Sequence, residues 1–140
     1  MARFRPWAVT ALIVWTLFTW GNRIPLLWAS STQSTAEKAR GTVPIALFLV
    51  LAMAALVGVL RSGDRLVGWA RTAALALAGW STAYWLVRLP FILANPHPVP
   101  FKVVHSVLAT VAVGLSVRAV LRLRADGSTV ATPVAQPASV

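Results

Sequence analysis

The residues able to do chemistry are few. The 140-residue chain holds 13 Lys and Arg, 3 acids, 2 His and no Cys. Without Cys there is no disulfide, thiolate metal site or Cys nucleophile. The acids Glu37, Asp64 and Asp126 all fall outside the apolar runs, so a proton relay or carboxylate metal site lacks its groups. Ser106 neighbours His105, but adjacent helical residues point apart, which leaves no Ser-His nucleophile. A bis-His haem needs imidazoles on facing helices, and His105 is the one at depth, so haem would require a homodimer. The expectation is a non-enzymatic chain without metal or cofactor. What stands out is a pattern, Trp-x4-Trp-x2-Arg-x-Pro, present as Trp15, Trp20, Arg23, Pro25 and again as Trp80, Trp85, Arg88, Pro90. Trp20 and Arg23, like Trp85 and Arg88, are three apart and share a helix face, where a cation–π contact adds about 0.5–1 kcal/mol. One reading is an interfacial anchor, with the indole at head-group level and the guanidinium snorkelling to phosphate. The other is a paired Arg23/Arg88 site for an anionic lipid or small molecule, with Trp20, Trp85 and the intramembrane His105 beside it.

The elements that must hold these residues are long and greasy. The chain is 58% hydrophobic, 11% charged and has mean hydropathy +0.73, more apolar surface than a water-soluble domain of this size can hide. Apolar runs occupy about residues 6–28, 42–60, 66–93 and 99–121. Crossing the hydrocarbon takes about 20 helical residues, and open strands cannot satisfy their backbone in lipid. The expected fold is therefore an all-α membrane protein, a four-helix transmembrane bundle spanning 1–124 and built from two tandem helical hairpins. The first run follows Arg3 and Arg5 as a signal peptide would, but Trp15, Trp20 and Arg23 make a poor approach to a cleavage site, so it reads as retained. Residues 30–41 read as a polar loop, 95–98 (Asn-Pro-His-Pro) as a stiff turn, and 125–140 as a disordered tail.

The two hairpins look like copies. A shift of 65 lays Trp15, Trp20, Arg23 and Pro25 on Trp80, Trp85, Arg88 and Pro90, with Ala8, Ala11 and Leu12 also on identical residues. A shift of 57 lays Val50-Leu51-Ala52 on Val107-Leu108-Ala109, Ala55 on Ala112 and Arg61 on Arg118. Units 6–61 and 71–118 would form a parallel repeat about an axis along the membrane normal. All seven Trp lie before or within the first and third runs, so the Trp-free second and fourth, with small-x3-small pairs such as Ala54/Gly58 and Ala112/Ser116, suit the bundle centre. With four crossings, eight Lys/Arg fall on the side of the termini and five on the other, which places both termini in the cytoplasm of a multi-pass cell-membrane protein.

The phrase Trp-x4-Trp-x2-Arg, followed by Phe-Lys-Val-Val-His-Ser-Val-Leu-Ala at 101–109 and an Arg-rich end, resembles small actinobacterial membrane proteins of unassigned activity. The likeness covers mainly 80–124. It implies a two-helix unit with an aromatic-Val-His-x2-Leu-Ala motif, and the first half departs from it because Phe48 stands at the position of His105. The basic residues form no continuous stripe, so the +10 net charge points to anionic head groups and membrane topology, and not to nucleic acid. The leading functional expectation is an accessory or assembly subunit, homo-oligomeric or within a larger membrane complex. The alternative is a binder or carrier of an anionic lipid or small molecule at the outer leaflet.

Overall fold

The computed structural model describes residues 7–62 and 65–128, and every regular element in them is a helix. In chain order these are α1 (Trp7–Trp20), α2 (Arg23–Ala29), α3 (Thr35–Ser62), α4 (Gly68–Ala94) and α5 (Val99–Ser128). The fold is all-α, with α1 and α2 as two pieces of the first of four helical segments.

The first run is thus not one helix over 6–28. Gly21 closes the last turn of α1 by donating its N–H to the Leu17 carbonyl at 2.8 Å, and a Cβ there would stand 2.5 Å from that oxygen. After Asn22, Pro25 falls in the first turn of α2, where its missing N–H leaves no bond unmade. Pro90 occupies the matching place in α4, yet that helix runs through it, because Leu86 and Val87 precede it where the first segment has Gly21 and Asn22.

The second helix starts seven residues before the expected 42. Ser34 donates its N–H and hydroxyl to Glu37 Oε2 at 2.8 and 2.9 Å, and the Glu37 N–H donates back to Ser34 Oγ at 3.3 Å. This reciprocal cap satisfies the free donors of the first turn and converts most of the expected 30–41 loop into helix. α2 is pinned to it: the Trp28 indole N–H donates to Thr42 Oγ1 at 3.0 Å, and Lys38 Nζ donates to the Trp28 carbonyl at 3.1 Å. The last helix continues past 121, because Leu123 is buried and the Arg71 guanidinium on α4 donates to its carbonyl at 3.2 Å. Residues 125–128 of the expected tail are therefore helical, and 129–140 lie outside the described residues.

α1 packs on α3 and α5, and α4 packs on the same two, so the helices close into a ring with α1 and α4 on one diagonal. Neither the Trp-free nor the Trp-bearing pair occupies a centre, contrary to the expectation from Trp distribution. Small residues set the approach: a Cβ on Gly58 would lie 2.8 Å from the Ala70 Cβ and 3.0 Å from its Cα. Ala52, Ala55, Ala109 and Ala112 are buried at the seams, Ala55 taking the place expected of Ala54. The 65-residue register carries into burial: Val9 and Ala74, Leu12 and Leu77, Ile13 and Ala78, Thr16 and Ser81, Trp20 and Trp85 are buried in pairs.

The outward faces are apolar too, with Phe18, Val50, Leu60, Val87, Val107 and Leu121 exposed. Two helices, α3 and residues Val99–Asp126 of α5, are long and apolar enough to cross a membrane. α1 is cut to 14 residues by its break, and the middle of α4 carries Trp80, Ser81, Thr82 and Tyr84.

The seam at Gly58 makes a direct prediction. Gly58→Ala should push α3 off α4 and cost about 1–3 kcal/mol, as overpacking does. Gly79→Ala meets open space and should be neutral or gain up to about 1 kcal/mol from helix propensity. Thermal unfolding of both variants in detergent checks this, and equal melting of Gly58→Ala and wild type would contradict it.

Candidate functional site

Trp20, Arg23, Trp85, Arg88 and His105, from three separate stretches of the sequence, line a single cavity of about 120 Å³. A second cavity of about 550 Å³ lies on the α2–α3 side. Trp20, Arg23, Tyr84 and Arg88 line both, so the two arginines stand between the larger chamber and the smaller recess.

An aromatic block forms the floor. Trp20 stacks on Phe48 with centroids 4.5 Å apart and planes at 13°. Tyr84 meets both edge-on, at 5.3 Å from Trp20 and 5.2 Å from Phe48. Trp85 lies 5.6 Å from Tyr84 and 6.2 Å from Trp20, so indoles from α1 and α4 meet across the diagonal. Offset and edge-to-face pairs of this kind add about 0.5–1.5 kcal/mol each beyond burial. Trp20 and Trp85 are 7% and 4% exposed, so these two are core rings and not the head-group anchors their spacing suggested.

The walls are cationic. Arg23 Cζ sits 6.0 Å from the Trp20 ring, as the spacing predicts. Arg88 Cζ sits 5.7 Å from Phe91 instead of Trp85, because Trp85 turns into the core while Phe91 shares the exposed face of Arg88. Arg40 joins them in the chamber, with Ser30 and Gln33 as neutral polar neighbours and no carboxylate in the lining. Among the described residues no carboxylate pairs with Arg23, Arg40 or Arg88, and Glu37 is engaged by Ser34. The lysines are used differently: Lys38 and Lys102 donate to the carbonyls of Trp28 and Leu93, at 3.1 and 2.8 Å, and so cap the ends of α2 and α4. Those two carbonyls are also 65 positions apart.

Arg40 and Tyr84 were not singled out by the sequence reading. The Ser34-x2-Glu37 cap is the signal that would have put Arg40 on a helix, on one face with Pro44, which lines the same chamber. Tyr84 stands four residues before Arg88, one turn away on the same face.

His105 is half-buried two turns into α5, its ring 3.9 Å from Phe101 and 6.4 Å from Trp85. Its Nδ1 lies 2.8 Å from the Phe101 carbonyl. A carbonyl can only accept, so Nδ1 carries the hydrogen and Nε2 remains for another partner. Ser106 donates its hydroxyl to the Lys102 carbonyl at 2.9 Å, apart from His105. His97 packs on Phe101 in the α4–α5 turn, with centroids 4.8 Å apart. Among the described residues there is no cluster of three metal-ligating side chains. The arrangement can hold an anion by charge and hydrogen bonds over an aromatic floor.

No protein family, curated protein or solved structure matches the chain.

Phe48 is fully buried beneath the site and touches Trp20, Trp80 and Tyr84. Phe48→Ala should cost about 3–5 kcal/mol by cavity formation. It should also redden and broaden the tryptophan emission as water reaches the indoles, whereas unchanged fluorescence and melting would mean the ring block does not support the floor.

Proposed function

We propose that the chain is a four-crossing cell-membrane protein that binds an anionic amphiphile at its outer face. The observation that carries this reading is the meeting of Arg23, Arg40 and Arg88 in one chamber without a carboxylate. Guanidinium groups match the oxygens of phosphate and carboxylate head groups, and Leu26, Leu27, Pro44 and Ile45 supply an apolar side for a chain. The membrane setting draws on the two long apolar helices and on the large apolar residues turned outward. The 27-residue α4 is about 40 Å long and sufficient to cross; α1 and α2 would cross together, with the break at Gly21 near the outer boundary. Both termini are then cytoplasmic, as the Lys/Arg bias favours.

A second reading, an accessory or assembly subunit, draws on a different surface. Trp7, Val14, Trp15 and Phe18 on α1 and Leu115 on α5 line an open groove of about 580 Å³ that is almost wholly apolar. A neighbouring membrane helix would fit there, and the two readings are compatible.

Two measurements test the proposal. The chain has no Cys, so Gln33→Cys and Ala125→Cys each provide one label site. On intact cells a membrane-impermeant maleimide should label residue 33 and spare 125; labelling of 125 instead would invert the topology and put the chamber in the cytoplasm. Lipid that copurifies with wild type should be enriched in anionic species. Each of Arg23→Ala, Arg40→Ala and Arg88→Ala should weaken retention roughly tenfold or more, since a hydrogen bond to a charged group contributes about 1.5–3 kcal/mol. An identical anionic lipid load on wild type and on the Arg23→Ala/Arg88→Ala double variant would sink the binder reading.

A further inference from the structure

We infer that the ligand's head is a diphosphate, held with one phosphoryl group in the chamber and the terminal one in the recess; this rests on the anionic-amphiphile reading above. Three observations converge on it. First, Arg23 and Arg88 line both cavities, so a pair of linked anionic groups can straddle them and remain in reach of both guanidiniums. Second, the recess of about 120 Å³ is small. It has about a fifth of the chamber's volume, so the smaller end of a ligand that spans both belongs there. Third, the combined lining offers three arginines and His105 with no carboxylate. A phosphodiester, with a single charge, would leave most of that positive charge uncompensated, whereas a diphosphate carries more than one.

The placement assigns distinct work to the two sides. Arg40 lines only the chamber and serves the inner phosphoryl group; the apolar side at Leu26, Leu27 and Ile45 receives the chain attached to it. His105 lines only the recess. Its Nδ1–H is committed to the Phe101 carbonyl, so Nε2 is the atom left to accept from a protonated terminal oxygen or, in the charged ring, to donate to an ionised one. No bond is made or broken: the assignment is to binding.

The test is calorimetric titration of the detergent-purified full chain with four probes: inorganic phosphate, inorganic diphosphate, a long-chain alkyl monophosphate and the same alkyl diphosphate. Diphosphates should bind at least tenfold tighter than the matching monophosphates. His105→Ala, and His105→Gln as a more conservative variant, should lower diphosphate affinity about tenfold and leave monophosphate affinity within twofold, with melting temperatures reporting intact folds. A tighter alkyl than inorganic diphosphate identifies a lipid head group, and equal affinity a free diphosphate. If mono- and diphosphates bind equally, or if the His105 variants weaken both alike, the diphosphate assignment is overturned while the anionic site stands. If none of the four binds, both fall.

Discussion

Trp20 of α1 and Trp85 of α4 meet across the diagonal of the ring, and the properties of that end of the molecule depend on their bulk. At the other end α3 and α4 approach through Gly58 and Ala70, closely enough that a single Cβ would collide. Where the indoles stand, the backbones of α1 and α4 are kept apart by two large rings plus Phe48 and Tyr84. Residue size thus differs between the ends, small at the Gly58–Ala70 seam and aromatic around Trp20 and Trp85. Both cavities open above the aromatic end, over a floor that cannot collapse because its rings already fill it. The aromatic block does two jobs at once: it provides burial and fixes the level at which Arg23 and Arg88 emerge.

Three arginines share that level, and no carboxylate lines their chamber. α1 and α4 end near it while α2, α3 and α5 begin there, so helix termini of both signs meet at that end. Lys38 and Lys102 neutralise the ends of α2 and α4 directly through the Trp28 and Leu93 carbonyls. With those carbonyls met by ammonium groups, the guanidiniums are not drawn into capping and face the cavities with their donors unspent. A lysine could not easily replace them, since its point charge lacks the planar fork that matches phosphate oxygens.

The parts of this arrangement legible in the sequence were those set by composition and long-range spacing. Repeated Trp, Arg and Pro landmarks placed Arg23 and Arg88 at one depth, and the helix at 99 placed His105 beside them. Less legible were features decided by a few atoms. The helix break rests on Gly21 and Asn22 preceding Pro25, whereas Pro90, with Leu86 and Val87 before it, breaks nothing. Polarity alone made 30–41 look like a loop, although a Ser-Glu cap starts α3 at Thr35 and thereby delivers Arg40 to the chamber. The spacing of Trp85 and Arg88 did not give the partner of Arg88, because whether an indole turns inward depends on the neighbouring helices. The expectation of a Trp-free centre failed for a related reason: all four helical segments share one core, and Trp20 and Trp85 reach into it from the diagonal.

The correspondence between hairpins also explains why the two cavities differ. Position 48 and position 105 coincide under the shift that overlays the second and fourth runs, yet one holds a buried Phe and the other a half-buried His. In the first hairpin the ring plugs the interior, stacks on Trp20 and leaves the space above it to form the broad chamber. In the second, an imidazole tied by Nδ1 to its own helix keeps a polar atom free and borders only a narrow recess. Had both positions been Phe, the recess would have lost its one polar side chain beyond Thr19, Tyr84 and the shared arginines. Had both been His, the stack under Trp20 would have given up its central apolar ring and the diagonal spacing with it. A single exchange of ring chemistry at equivalent places thus lets a nearly repeated scaffold support two unlike halves of one site.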